Sequence, residues 1–361
     1  MNNSSWLSPT KYGEVRFWVY IVEGFCLALS NLLIFVLVVR YEALRYQKGY
    51  VIIGGLALAD GLAGVGQYIA GIWRQTIVMT GTVHMLITKQ ECMMRPYNWI
   101  WIFTHSLQPL MLLLVSVDRL LSVSIPITYL GLTHVYAWRL VGAAYLFVFI
   151  QGLYGFYATF TAGGGKTSGP LCITSESFEH IFHVILTDSQ VVYASLSIVV
   201  YILVVVVFFK RKAPSTNNSQ ATDRKGSKLG LIMGQHAGQR RLTITMAISC
   251  AFTFVLVVVP TFLLTLAMMG ALKIDVPRLH VMTFILNQLN PIFNFFIYVT
   301  RHQDLRSAFF ATVRCRPLPP VIQPKAVPPK AANYVYNDAK KAQHKVTPDS
   351  AGIVVVNPAV R

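Results

Sequence analysis

The chain has 361 residues, of which 54% are hydrophobic and only 12% are charged, and its mean hydropathy is +0.53. A typical soluble domain carries about 25% charged residues, so this composition excludes an ordinary soluble protein and indicates that lipid surrounds most of the chain. The net charge of +17 does not indicate nucleic-acid binding, because the basic residues lie between apolar segments, as membrane-flanking cations do.

Residues 1–16 precede the first apolar run and form a predicted extracellular N-terminus. They are polar and lack the charged and apolar regions of a signal peptide, so we expect the first run to remain as an anchor. Asn2 and Asn3 each begin an Asn-x-Ser acceptor for glycosylation. The sequence leaves open whether either site is used.

Seven apolar runs then follow, and residues 17–300 form the predicted transmembrane domain. A spanning helix needs about 20 predominantly apolar residues. The predicted spans are about 17–39, 50–73, 97–120, 137–160, 181–209, 242–269 and 279–299. We expect a bend in the sixth span, because Pro260 removes a backbone donor there. The predicted fold class is an all-α membrane protein, a seven-transmembrane-helix bundle with a short amphipathic cytoplasmic helix.

Two carboxylates occur inside the first two spans, Glu23 in the first and Asp60 in the second. A carboxylate within the bilayer is costly and by default marks a functional site. Asp60 lies the deeper of the two. We predict a polar network around it, shared with Asn31, Asn290 and Asn294.

The distribution of Lys and Arg predicts the orientation, because these residues accumulate on the cytoplasmic side. If the N-terminus is outside the cell, the loops on the cytoplasmic side carry more Lys and Arg than the loops on the extracellular side. The third of them is the richest, with Lys210, Arg211, Lys212, Arg224, Lys225, Lys228, Arg240 and Arg241. We therefore predict a multi-pass plasma-membrane protein with an extracellular N-terminus and a cytoplasmic C-terminus.

Residues 301–316 form the predicted amphipathic cytoplasmic helix, which lies along the membrane surface. Its apolar face holds Leu305, Ala308, Phe309 and Val313. Cys315 is either a palmitoylation site or a free thiol. Residues 317–361 are rich in Pro, Ala and Lys and form a predicted disordered cytoplasmic tail.

Asp118-Arg119, with Pro126 and Tyr129 after it, resembles the Asp-Arg-Tyr…Pro…Tyr signature of rhodopsin-like (class A) G-protein-coupled receptors. Other stretches are similar to the nematode serpentine chemoreceptors of class Srsx, namely Glu91-Cys92, Gln108, Pro126 to Tyr129 and the block from Asn294 to Phe309. The resemblance spans roughly residues 32–310.

The resemblance implies a receptor that senses an extracellular ligand and activates a heterotrimeric G protein, with no enzymatic activity and no cofactor. The implied coupling and switch residues are Asp118, Arg119, Tyr129, Asp60, Asn294 and Tyr298. Arg119 would pair with Asp118 at rest and contact the G protein on activation. The alternative is an arginine that only snorkels to the interface.

The resemblance also implies a disulfide between Cys92 and Cys172, with two free thiols as the alternative. In the family, the position of Asp60 binds sodium, so a sodium ion there is one possibility and a polar hub without metal is the other. Gln108 stands where the family has a Ser.

The seventh span admits two alignments with the family's Asn-Pro-x-x-Tyr motif. We prefer Asn294 to Tyr298, with Phe295 in place of the proline, over Asn290-Pro291. The preferred alignment places a helix break at Pro291.

The candidate ligand pocket has a mixed aromatic and polar lining, formed by Trp101, His105, Thr261, Phe262 and Gln288. Each of these is also typical of ordinary helix packing. Trp101 stands where aminergic receptors carry an Asp, and the seventh span has no Lys for a retinal Schiff base, which argues against monoamines and retinal. The short outer loops favour a small ligand, with a neuropeptide as the alternative.

Two other function classes fit the sequence less well. A transporter is disfavoured, because the spans show no internal repeat and no paired Gly/Pro-interrupted helices. An intramembrane enzyme is disfavoured, because no nucleophile–base or metal-ligand set stands out in the sequence.

Overall fold

Helices account for most of the chain in the computed structural model, which describes residues 11–162, 165–173, 177–212, 248–249, 251–268, 270–272 and 274–314. The α-helices are α1 Lys11–Arg40, α2 Glu42–Arg45, α3 Lys48–Met79, α4 Lys89–Met93, α5 Pro96–Ser124, α6 Pro126–Gly131, α7 His134–Thr161, α8 His180–Lys212, α9 Val259–Met268, α10 Val276–Arg301 and α11 Gln303–Val313. Asn2, Asn3, Cys315, the segment 213–247 and the tail 317–361 lie outside the described residues.

Five of the described helices, α1, α3, α5, α7 and α8, are long and apolar enough to cross a membrane. A shorter apolar helical stretch, Ala251–Leu264, includes the first part of α9 and lies at the place of the sixth predicted span. Helix α10 occupies the seventh. The helices extend beyond the predicted spans, most of all α3, which continues to Met79.

Glycines let α1 and α3 pack with their backbones in contact. A Cβ on Gly24 would lie 2.6 Å from the backbone nitrogen of Tyr68, and one on Gly64 would lie 2.4 Å from that of Ala28. Small residues at such contacts allow close helix approach in membranes. A side chain at either glycine would therefore force the two helices apart.

Proline affects the sixth and seventh spans differently. A π-helical turn, Phe254–Val258, ends two residues before Pro260, and such a wide turn is a known cause of helix kinks. This fits the distortion expected at Pro260. The helix break expected at Pro291 is wrong, because α10 remains helical from Val276 to Arg301.

Two strands and a disulfide hold together the loops at the Cys92 end of the bundle. Strand β1, Ile87–Thr88, pairs antiparallel with β2, Lys166–Ser168. The predicted disulfide between Cys92 and Cys172 is confirmed. Arg74 donates hydrogen bonds to the carbonyl oxygens of Leu171 at 3.0 Å and Cys172 at 3.3 Å.

Helix α11 packs at the opposite end of the bundle. Leu305 and Ala308 are buried as predicted, whereas Val313 is exposed. The Tyr41 hydroxyl lies 2.8 Å from that of Thr312, and Tyr50 donates to Asp304 at 3.3 Å. These contacts join α11 to α1–α3.

Candidate functional site

Asp118, Arg119 and Tyr129 form a buried polar cluster at the end of α5. Arg119 forms an ion pair and hydrogen bond with Asp118. The Tyr129 hydroxyl accepts from the Arg119 guanidinium at 3.1 Å and donates to Asp118 at 3.1 Å. All three residues are at most 3% exposed. The predicted pairing of Asp118 with Arg119 is thus present in the structure, and Tyr129 completes it.

The turn between α5 and α6 explains why Tyr129 reaches back to Arg119. Ile125 leaves helical geometry at φ −132° and ψ 62°, and Pro126 then starts α6, a position that suits proline because its missing N–H is not needed there. Lys48 of α3 fixes the returning segment by donating to the carbonyl oxygens of Tyr129 and, at 3.1 Å, Leu132. The Lys48 ammonium also lies 3.7 Å from the centre of the Tyr129 ring.

Burial raises the pKa of Tyr129, with Asp118 raising it further and Arg119 opposing both. The phenol therefore stays protonated at neutral pH. A protonated phenol donates to the carboxylate of Asp118 while accepting from Arg119, so Tyr129 can stabilise both charges of the pair. A buried ion pair without such a third partner often contributes little to the free energy of unfolding.

Asp60 is buried in α3, and its partner is the side chain of Gln108 in α5. The Gln108 amide nitrogen donates to an Asp60 oxygen at 2.9 Å. The predicted network of three asparagines does not assemble around Asp60. Instead, Asn31 donates to carbonyl oxygens including that of Pro291, Asn290 accepts from Thr253 and Asn294 accepts from Ser249.

The residues around Asp60 do not fit a sodium ion. A cation needs oxygen ligands, whereas Gln108 presents an N–H donor to the carboxylate. Asp60 therefore takes part in a hydrogen bond between α3 and α5, and we assign no metal to it.

Tyr298 and His302 place the end of α10 beside α3. Tyr298 is buried, and its ring centre lies 6.3 Å from that of His302. The His302 imidazole packs edge-on against Tyr50 at 5.6 Å. Burial, together with the positive charges of Arg119 and Arg301, lowers the pKa of His302 to about 4. His302 is thus a neutral side chain within electrostatic range of Arg119.

His302 was not among the residues singled out from the sequence. A histidine between two helices carries no motif, and its burial depends on the turn between α10 and α11. Its position directly after Arg301 at the end of an apolar span was the only available signal.

The structure brings together only part of the candidate ligand pocket. The Trp101 and His105 rings stack in α5 with centres 4.1 Å apart. Thr261 and Gln288 are half-buried in α9 and α10. Phe262 is 61% exposed, so it lies on the outward face of α9.

Comparison with known proteins assigns the chain to a family. The family model described as "7 transmembrane receptor (rhodopsin family)" matches residues 30–298, which include the Asp118–Arg119–Tyr129 cluster, Asp60 and α10 as far as Tyr298. No curated protein matches the chain. The extent of the family match, together with the apolar spans and the Cys92–Cys172 disulfide, shows that the chain belongs to the rhodopsin family of seven-transmembrane receptors.

Proposed function

We propose that this receptor senses an extracellular small molecule and activates a heterotrimeric G protein, as a chemoreceptor similar to the nematode class Srsx. The observation that carries the proposal is the closed cluster of Asp118, Arg119 and Tyr129. A buried arginine that can exchange its partners is the element through which a ligand signal would reach a G protein.

The proposed orientation follows the loop charges. Residues 1–16 and the Cys92–Cys172 disulfide would be extracellular, residues 17–300 would form the transmembrane domain, and 301–316 and 317–361 would be cytoplasmic. The oxidising extracellular environment is the one in which a disulfide persists. The Asp118–Arg119–Tyr129 cluster lies at the opposite end of α5 from Cys92 and would then face the G protein.

The mechanism is a shift between a closed and an open state. In the closed state, Arg119 binds Asp118 and Tyr129. In the open state, the part of the sixth span before the π-helical turn Phe254–Val258 moves outward, and Arg119 contacts the G protein. Rigid-body shifts of helices are a common means of switching. A ligand drives the shift only by binding the open state more tightly than the closed one.

The ligand would enter from the end of the bundle that carries Cys92 and Cys172. The Trp101–His105 stack and Gln288 provide aromatic and polar groups of the kind that small-ligand pockets use. A peptide would instead need contacts along the outer loops.

A reporter cell that expresses the receptor tests this function. Volatile, soluble and peptide libraries are screened for G-protein activation against cells that express Arg119→Ala at equal surface density. We expect a small molecule to activate the wild type and not the variant. Activation by peptides alone would favour the neuropeptide alternative, and transport of a hit without G-protein activation would favour a transporter.

A further inference from the structure

Glu23 of α1 and Gln67 of α3 form a buried pair in which two oxygen atoms have no partner. The Gln67 amide nitrogen donates to one Glu23 oxygen at 2.8 Å. The other Glu23 oxygen and the Gln67 amide oxygen are both buried without a hydrogen bond. The two residues are only 6% and 4% exposed. Both free atoms are acceptors, so what the pair lacks is a donor.

No cationic side chain supplies that donor within the described residues. The ion pairs there are Arg119 with Asp118 and Arg278 with Asp275. A carboxylate that is buried with one amide donor bears a large desolvation penalty. A buried polar atom without a partner in a native structure needs an explanation, such as a bound ion or ligand.

Aromatic rings lie one helical turn from the pair, towards the Cys92 end of the bundle. Tyr20 precedes Glu23 by three residues and therefore shares its face of α1. Its ring centre lies 5.0 Å from that of Phe284 in α10. On the same face, Asn31 contacts Pro291 of α10. Along α1, Glu23 therefore lies between two residues that contact α10, Tyr20 and Asn31.

We propose that the Glu23–Gln67 pair binds the ammonium group of a small protonated amine. An ammonium group carries three donors and no acceptor, and two of those donors would satisfy the free oxygens of Glu23 and Gln67. Tyr20 lies one helical turn from Glu23 on α1, and its ring, packed against Phe284, would add cation–π attraction to an ammonium group held on that side of the pair. The α1–α3 pair is separate from Trp101, where aminergic receptors carry their Asp.

This inference rests on the proposed receptor function and adds to it a second contact for the sensed ligand, at the Glu23–Gln67 pair, with the chemical class of the group that would bind there. The ligand would bridge α1 and α3 near α10. The amine would interact with both helices at once, so its binding would stabilise their contact against thermal unfolding.

Thermal unfolding of the purified full-length receptor tests the site without any G protein. The probes are butylamine and phenethylamine, with butanol and phenethyl alcohol as neutral analogues. We expect the amines to raise the unfolding temperature and the alcohols to have no such effect. Glu23→Gln keeps the shape and removes the charge, so it should weaken the amine effect by about tenfold or more. Glu42→Gln, at an exposed carboxylate, is the matched control and should change nothing.

A second variant, Gln67→Ala, tests the site in case Glu23→Gln does not fold. Gln67→Ala keeps the Glu23 charge and removes one acceptor, and it should weaken amine binding by a smaller factor. Equal amine effects in wild type and Glu23→Gln would overturn the proposal. Glu23-dependent stabilisation by NaCl over KCl without any amine effect would show a sodium site instead. Glu23-dependent stabilisation by acid alone would show a proton site, and either result would overturn the proposal.

Failure of this inference is distinguishable from failure of the receptor function. Basal G-protein activation that depends on Arg119, without any effect of amines, would contradict only the amine site. Amine stabilisation that depends on Glu23, without G-protein activation, would contradict only the proposed signalling.

Discussion

Gln108 donates a hydrogen bond to Asp60 across 2.9 Å and so joins α5 to α3 inside the bundle. Asp60 is 3% exposed. Within the part of the chain that the structure describes, its carboxylate accepts a side-chain hydrogen bond from this amide. The pair connects the helix that carries Arg119 to the helix that carries Lys48, and both of those cations contact Tyr129.

Removing the Gln108 amide should destabilise the receptor because it leaves a buried carboxylate unpaired. Gln108→Leu is expected to cost about 1–3 kcal/mol of unfolding free energy. The double variant with Asp60→Leu should cost less than the sum of the single changes. Thermal unfolding of the four proteins measures this coupling, and strictly additive effects would show that the bond contributes nothing.

Tyr129→Phe should raise basal signalling. It removes the hydroxyl that accepts from Arg119 and donates to Asp118 and leaves the packing of the ring in place. A loss of about 1 kcal/mol from the closed state shifts the equilibrium about fivefold towards the open one. Ligand-free G-protein activation at matched surface expression is the readout, with Tyr157→Phe, at an exposed position on α7, as the control. Basal activity at or below that of the wild type would argue that Tyr129 does not hold the cluster closed.

Cys172→Ser should reduce delivery of the receptor to the cell surface. The disulfide joins residues 80 positions apart in sequence, and loss of a native disulfide typically costs about 2–5 kcal/mol. Cys26→Ser is the matched control, because Cys26 is free and exposed. Surface labelling of intact cells compares the two. Equal labelling of both variants would show that the bridge is dispensable for delivery.

His302 should make the receptor less stable in mild acid. Its pKa is lowered from an ordinary value of about 6.5 to about 4 in the folded protein. Between these values the unfolded chain binds more protons, so stability falls as the pH drops through this window and is fully present above it. The contribution is at most about 3 kcal/mol.

His302→Gln should remove this acid sensitivity, and His84→Gln, at an exposed position in a short 3₁₀ helix, should retain it. Unfolding temperatures at pH 7 and pH 5 give the comparison. Equal acid sensitivity in the wild type and His302→Gln would assign the effect to other groups.

The sequence predicted features that depend on composition and local motif. The spans followed from apolar length, and the Cys92–Cys172 bridge and the Asp118–Arg119 pair followed from motifs that resemble a known family. The partners of Asp60 were not predictable in this way, because Gln108 and the three asparagines all lie on inward faces, and only helix rotation decides which of them meets the carboxylate. The outward position of Phe262 depends in the same way on the rotation of α9.

The close backbone contacts between helices and the pairing of the loop strands could not be predicted from the sequence either. Whether Gly24 and Gly64 meet depends on the register between α1 and α3. The strand pairing of Ile87–Thr88 with Lys166–Ser168 joins two short segments that have no alternating pattern of their own. The tolerance of α10 for Pro291 depends on its tertiary contacts, which override the helix-breaking tendency of proline.

The central claim is that Arg119 transmits the signal, and nucleotide exchange on a purified heterotrimeric G protein tests it most directly. Wild-type receptor, Arg119→Ala and the exposed control Arg139→Ala are reconstituted at equal amounts of folded protein, with and without an activating molecule from the screen. We expect exchange with the wild type and Arg139→Ala and none above background with Arg119→Ala, which should still bind the activator. Wild-type exchange rates with Arg119→Ala would contradict the account.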